Sequence, residues 1–185
     1  MKICFVLATR PEIIKTSPII KIFEKNKLNF FLIHTGQHYT NYLDNIFFKE
    51  LGLPNPKYNL EIRSRNPVNE AEHTGKMMIR LESIILKEQP DFVMVHGDTN
   101  TTLAGALTVR KLFTKINFLN IDCEGHDYNV LSSIDLGHYS PELICIETQK
   151  INNEETIMYQ DIIKLLKNYS YKIFKRCGPS TFFNK

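Results

Sequence analysis

Five short apolar runs set the terms for this chain. They are Lys2–Ala8, Asn29–His34, Asp91–His96, Ile116–Asp122 and Glu142–Glu147, and stretches of helical periodicity separate them. Runs such as Phe30-Phe31-Leu32-Ile33 and Phe92-Val93-Met94-Val95 are apolar at consecutive positions, so both faces of the strand must be covered. Strands of this kind, alternating with helices, build βαβ units and a parallel sheet. The fold class read from the pattern is therefore α/β: a Rossmann-like parallel sheet with flanking helices. It closes with a short antiparallel hairpin, Tyr171–Arg176 and Thr181–Phe183 joined through Cys177-Gly178-Pro179-Ser180.

The helices carry their own signals. Thr9-Arg10-Pro11-Glu12 fits a capping box, with Pro11 tolerated in the first turn. The helix that follows turns Ile13, Ile14, Ile19, Ile20 and Phe23 inward, and Pro18 is expected to kink it. Asn41–Leu51, Pro67–Gln89, Leu103–Phe113 and Thr156–Asn168 read as further helices, and Gly52–Arg65 and Gln149–Glu155 as loops.

In open α/β sheets ligands bind at the carboxyl ends of the strands. Every chemistry-bearing cluster in this sequence falls there. Arg10 and Lys15 follow the first strand, as an anion site or as a solvated basic pair. Thr35-Gly36-Gln37-His38 follows the second. His96-Gly97-Asp98-Thr99 follows the third, where Asp98 either faces a ligand or caps the next helix, and Thr99, Asn100 or Thr101 offers a cap. Asp122-Cys123-Glu124-Gly125-His126-Asp127 follows the fourth, as an acid–base or cation site or as a turn with Asp127 capping residues 128–134.

Composition narrows the class. The 185 residues are 43% hydrophobic with 8 Pro and 8 Gly, as in a globular chain. A net charge of +3, with the 23 basic residues scattered, argues against nucleic acid and anionic membrane as partners. The four cysteines form no C-x-x-C pair, so no metal site is expected. Cys4, Cys123 and Cys145 sit within strand-like runs as small hydrophobes of a reducing compartment. The apolar start, Met1–Ala8, is too short for a signal segment, and no run reaches the roughly 18 apolar residues of a membrane span. A cytoplasmic location is expected.

The first part resembles the non-hydrolysing UDP-N-acetylglucosamine 2-epimerases. The resemblance is carried by Ala8-Thr9-Arg10-Pro11-Glu12-Ile13-Ile14-Lys15 with Ser17-Pro18, Thr35-Gly36-Gln37-His38 with Asp44, and Leu51-Gly52-Leu53 through Tyr58-Asn59-Leu60. Pro90-Asp91 leading to Val95-His96-Gly97-Asp98-Thr99 and Thr102-Leu103 completes it, over residues 1 to about 115. It implies a glycosyltransferase-B-like first domain and a UDP-sugar substrate, with no cofactor and a homodimer as the family's usual assembly. The implied reaction converts UDP-GlcNAc to UDP-ManNAc by eliminating UDP and adding it back. By motif match Asp98, Lys15 and Glu124 are the catalytic candidates, and Arg10, Gln37, His38, His96 and Thr99 the substrate-binding ones. An epimerase would next show His-x-Glu-Ala-Gly-x-Arg, which Glu124-Gly125 imitates.

Residues 118–185 instead resemble the end of FkbM-type S-adenosylmethionine methyltransferases. The matching pieces are Phe118–Asp127, Val130-Leu131, Tyr139–Glu147 and the closing pair of strands, without that family's glycine-rich cofactor loop. The expected organisation is an epimerase-like portion, 1–115, joined near Thr114–Asn117 to a methyltransferase-like portion, 116–185, that continues the same sheet. The expected function is that of a truncated epimerase homologue. The alternatives are a non-catalytic fusion remnant and a methyltransferase fragment.

Overall fold

Strand β1 (Lys2–Leu7) occupies the middle of the first of two units, Met1–Phe113 and Thr114–Lys185. The structure is a computed structural model and describes residues 1–36, 41–62, 70–112, 116–149 and 158–185. In the first unit β1 pairs in parallel with β2 (Asn29–His34) on one side and β4 (Phe92–Met94) on the other. A two-residue strand, β3 (Tyr58–Asn59), extends β2, giving the order β3-β2-β1-β4. Four helices cover this sheet: α1 (Arg10–Lys25), α2 (Asn41–Glu50), α3 (Glu70–Glu88) and α4 (Asn100–Leu112).

The alternation of side chains along β1 divides the core in two. Cys4 and Val6 pack with Phe31, Ile33, Met77, Leu81, Ile85 and Ala104, the layer of α3 and α4. Phe5 and Leu7 pack with Ile13, Ile20, Leu32 and Phe48, the layer of α1 and α2. Each Val, Leu, Ile, Phe or Met side chain among these, once fully buried, contributes roughly 1.5–3 kcal/mol. Burial between these layers also pushes the Cys4 thiol up to about 12, so it stays neutral.

One local feature differs from the pattern read off the sequence, and two others show how the helices are accommodated. The stretch read as a loop contains β3, which forms because Leu60 and Ile62 are buried and their amides continue the ladder to the carbonyls of His34 and Thr35. Helix α1 runs through Pro18 as one element. Pro18 has no amide proton for the Ile14 carbonyl, and the Ser17 hydroxyl donates to that carbonyl instead at 2.9 Å. At Gly105 a Cβ would stand 2.6 Å from Val95 Cγ1, so α4 reaches the sheet only with glycine there.

The second unit forms its own sheet, so the expected continuation of a single sheet is corrected: the described strands pair into two four-stranded sheets. Strand β5 (Phe118–Ile121) pairs in parallel with β6 (Leu143–Glu147). The closing hairpin, β7 (Lys172–Cys177) and β8 (Ser180–Asn184), lies antiparallel with β8 against β6. Phe118 and Asn120 of β5 are exposed, the pattern of an edge strand rather than of a strand enclosed on both sides. Helices α5 (Asp127–Ser133), α6 (Leu136–Tyr139) and α7 (Tyr159–Asn168) complete the unit. Ile121, Leu131, Leu136, Ile144, Ile146, Ile162, Leu166, Tyr171 and Phe183 form its core. The short α6 was not read from the sequence; Asp135 caps it by accepting from the His138 amide. Among the described residues no helix is long and apolar enough to cross a membrane.

At the amino edge of the first sheet, Glu88 accepts from Lys2 Nζ at 2.5 Å, from Lys57 Nζ at 2.7 Å and from the Tyr58 hydroxyl. These donors hold its carboxyl down at about 2, below its ordinary value of 4.5. A depressed carboxyl contributes stability that is complete above the unfolded value and is lost as pH falls through the folded one. Glu88→Gln is therefore expected to lower the melting temperature at pH 7, with the difference from wild type shrinking between pH 4.5 and about 2 and vanishing below. A melting series across that window checks it. Gly105→Ala gains about 1 kcal/mol of helix propensity but incurs about 1–3 kcal/mol of overpacking against Val95. Chemical denaturation should show a net loss of up to roughly 2 kcal/mol.

Candidate functional site

The carboxyl ends of β1, β2 and β4 are joined by side chains from the helices that follow them. Glu12, in the first turn of α1, is 2% exposed. Its Oε2 accepts from the Ala8 amide at 2.7 Å and the Thr9 amide at 3.0 Å, completing the capping box read from the sequence. Its Oε1 accepts from the Thr99 hydroxyl at 2.6 Å, across to the turn after β4. Thr99 in turn caps α4 by accepting from the Thr102 amide at 3.3 Å. Just past β2, Thr35 shares a buried 2.8 Å hydroxyl–hydroxyl bond with Thr101, and His34 Nε2 donates to the Ala8 carbonyl at 2.9 Å.

These ties frame a cleft of about 350 Å³ lined by Thr9, Pro11, Glu12, Lys15, His96, Gly97, Asp98 and Thr99. Gly97 turns the chain there at φ +100°, a conformation that favours glycine. Four of the residues singled out by sequence, Lys15, His96, Asp98 and Thr99, thus meet in one cavity. Lys15 and Asp98 are both exposed. Asp98 makes no hydrogen bond with the described residues, and the helix cap falls to Thr99. Arg10 opens α1 next to the cleft, exposed, with its guanidinium 5.0 Å from the Phe47 ring centre. Gln37 and His38 lie outside the described residues.

Glu124 belongs to the second unit, in the turn between β5 and α5, exposed at φ +50°. In that turn the buried Asp127 accepts from the amides of Cys123 and Gly125, both at 3.2 Å, so it holds the turn and begins α5 rather than preceding it. Burial first, then the charges of Asp122, Asp127 and Glu124, push the Glu147 carboxyl up. Among the described residues no group of three or more His, Cys, Asp or Glu is placed to hold a metal.

Glu12 is the site residue that sequence reasoning left as a cap alone. The capping-box spacing located its backbone partners. Its bond to Thr99 spans 87 residues and has no local signal.

The arrangement offers a cation and a carboxylate facing one cavity at the carboxyl edge of a parallel sheet. A family model for UDP-N-acetylglucosamine 2-epimerase matches residues 21–117, and one for the methyltransferase FkbM domain matches residues 98–173. A UDP-N-acetylglucosamine 2-epimerase of Methanocaldococcus jannaschii is 50% identical, over 73% of this chain and 36% of that protein. A UDP-N-acetylglucosamine 2-epimerase homolog of Methanococcus maripaludis is 37% identical over 95% of this chain and 52% of its own. The crystal structure of the M. jannaschii UDP-GlcNAc 2-epimerase in complex with UDP-GlcNAc and UDP superposes with a TM-score of 0.61 at 51% identity. It covers 70% of this chain and 35% of that one. The chain thus spans about a third to a half of the length of the curated relatives it matches. By the extent of the family match and the likeness of fold and sequence, the chain belongs to the UDP-N-acetylglucosamine 2-epimerase family.

Proposed function

We propose that the cleft of the first unit binds a UDP-linked 2-acetamido sugar and that its residues serve 2-epimerisation of UDP-GlcNAc. The observation that carries this is the meeting of Lys15 and Asp98 in one cavity beside Arg10. The structure at 51% identity supports it, since that protein is described with UDP-GlcNAc and UDP bound.

In this reading Arg10 faces the diphosphate, where a fixed guanidinium meets two phosphate oxygens at once. Asp98 takes the C2 proton as the C1–O bond breaks, so that UDP leaves with the bonding pair and 2-acetamidoglucal, with its C1–C2 double bond, remains. Lys15 offsets the charge that builds on the departing diphosphate. Asp98 is the carboxylate that exchanges the C2 proton, and His96 and Thr99 line the sugar side. Return of UDP to C1 and of a proton to the opposite face of C2 completes the inversion. Glu124 enters as a second carboxylate on sequence likeness alone.

A second reading, binding without turnover, is favoured by one observation: the epimerase model matches only to residue 117, and residues 98–173 match the methyltransferase FkbM domain instead. The FkbM likeness of the second unit makes S-adenosylmethionine the necessary control ligand.

Calorimetry with UDP, UDP-GlcNAc and S-adenosylmethionine tests the proposal, beside an assay for released UDP and UDP-ManNAc. We expect UDP to bind and Arg10→Ala to weaken it about 10–100-fold, as loss of charge-assisted hydrogen bonds does. Absence of UDP binding, or equal binding by the variant, overturns it. Binding with no product selects the second reading, and binding of S-adenosylmethionine alone selects the methyltransferase one.

A further inference from the structure

We infer that Glu12 is a positioning residue, whose buried carboxylate fixes the turn carrying Asp98 against the start of α1, which carries Arg10 and Lys15. The chemical meaning of this rests on the proposed UDP-sugar reading, whereas the contact itself rests on geometry alone.

A carboxylate buried in a protein is costly unless its oxygens are met by donors. Glu12 is 2% exposed, and each of its oxygens has a hydrogen-bond partner: the amides of Ala8 and Thr9 on Oε2 and the Thr99 hydroxyl on Oε1. A capping role needs only the amide partners. The third bond goes elsewhere, to the residue directly after Asp98. The Thr99 oxygen gives its proton to Glu12 at 2.6 Å and accepts from the Thr102 amide at 3.3 Å, so its direction is fixed from both sides. The turn also packs on Glu12: a Cβ at Gly97 would stand 3.5 Å from Oε1. The backbone carrying Asp98 is thereby held between α1 and the start of α4. Charge matters as well as reach, because a carboxylate accepts at both oxygens whereas an amide must present a donor at one of the two positions. In Glu12→Gln, that donor meets either the Ala8 and Thr9 amides or the Thr99 hydroxyl, which would have to turn its proton away.

Hydrogen exchange on the full chain, with Glu12→Gln, Thr99→Val, Thr99→Ser and the double variant Glu12→Gln/Thr99→Val, tests this without requiring turnover. Amides of residues 96–102 should exchange about 10-fold faster in Glu12→Gln and in Thr99→Val, while those of β1 and β2 keep wild-type protection. Thr99→Ser should restore protection. The double variant should equal Thr99→Val alone, which already loses both the Glu12 bond and the α4 cap, rather than multiply the two effects. In an active chain, kcat should fall about 10-fold in Glu12→Gln with KM within about twofold, because removing positioning at the reacting carbon spares ground-state binding. Wild-type exchange at 96–102 in Glu12→Gln, or multiplicative effects in the double variant, overturns the inference. If Glu12→Gln does not fold, Glu12→Asp, which keeps the charge and shortens the reach to Thr99 by one methylene, decides it by the same readout. A wild-type chain that fails to bind UDP counts against the functional reading and leaves the exchange result to decide the role of Glu12.

Discussion

A strand enclosed on both faces and both edges needs a neighbour strand on each side and a helix layer above and below, and β1 has all four. Phe5 and Leu7 go to one layer, Cys4 and Val6 to the other, and the edges go to β2 and β4. Because all these pairings are parallel, the carboxyl ends of the three strands finish along one edge, and the next helices start there. The cleft is a consequence of that arrangement: its lining comes from the turns after β1 and β4 and from the start of α1. Gly105 serves the same packing from a distance, by letting α4 lie close to Val95 beside β4.

The two edges of this sheet are finished in different ways. At the amino edge Glu88 gathers Lys2, Lys57 and Tyr58, so charge is neutralised within the fold. At the carboxyl edge Glu12 is met by neutral donors, and Lys15 and Asp98 are left exposed on the wall of a cavity. A closed ion cluster stabilises, whereas charged groups without fixed partners among the described residues are available to a charged ligand. That contrast, rather than any single motif, distinguishes the proposed binding edge from the structural one.

Much of this was legible in the chain. Consecutive apolar residues in β1 and β2 required two-sided burial, and Thr9 to Glu12 announced the start of α1. The clustering of Arg10, Lys15 and Asp98 at strand ends followed from topology once the strands were placed. What escaped was long-range. Strand β3 is two residues held by pairing to β2 and by burial of Leu60 and Ile62, with no periodicity of its own. The Glu12–Thr99 bond joins residues 87 apart, and nothing near either one signals it. The division into two sheets escaped because the runs that become β4 and β5 are alike in composition and each ends its sheet as an edge strand, so neither run signals that the two do not pair.

The most direct test of the account is amide chemical-shift mapping on the labelled full chain as UDP is added. The account predicts perturbations at residues 9–15 and 96–99, with the amides of β7 and β8 unmoved. Perturbations confined to the second unit, or none at saturating UDP, would contradict it.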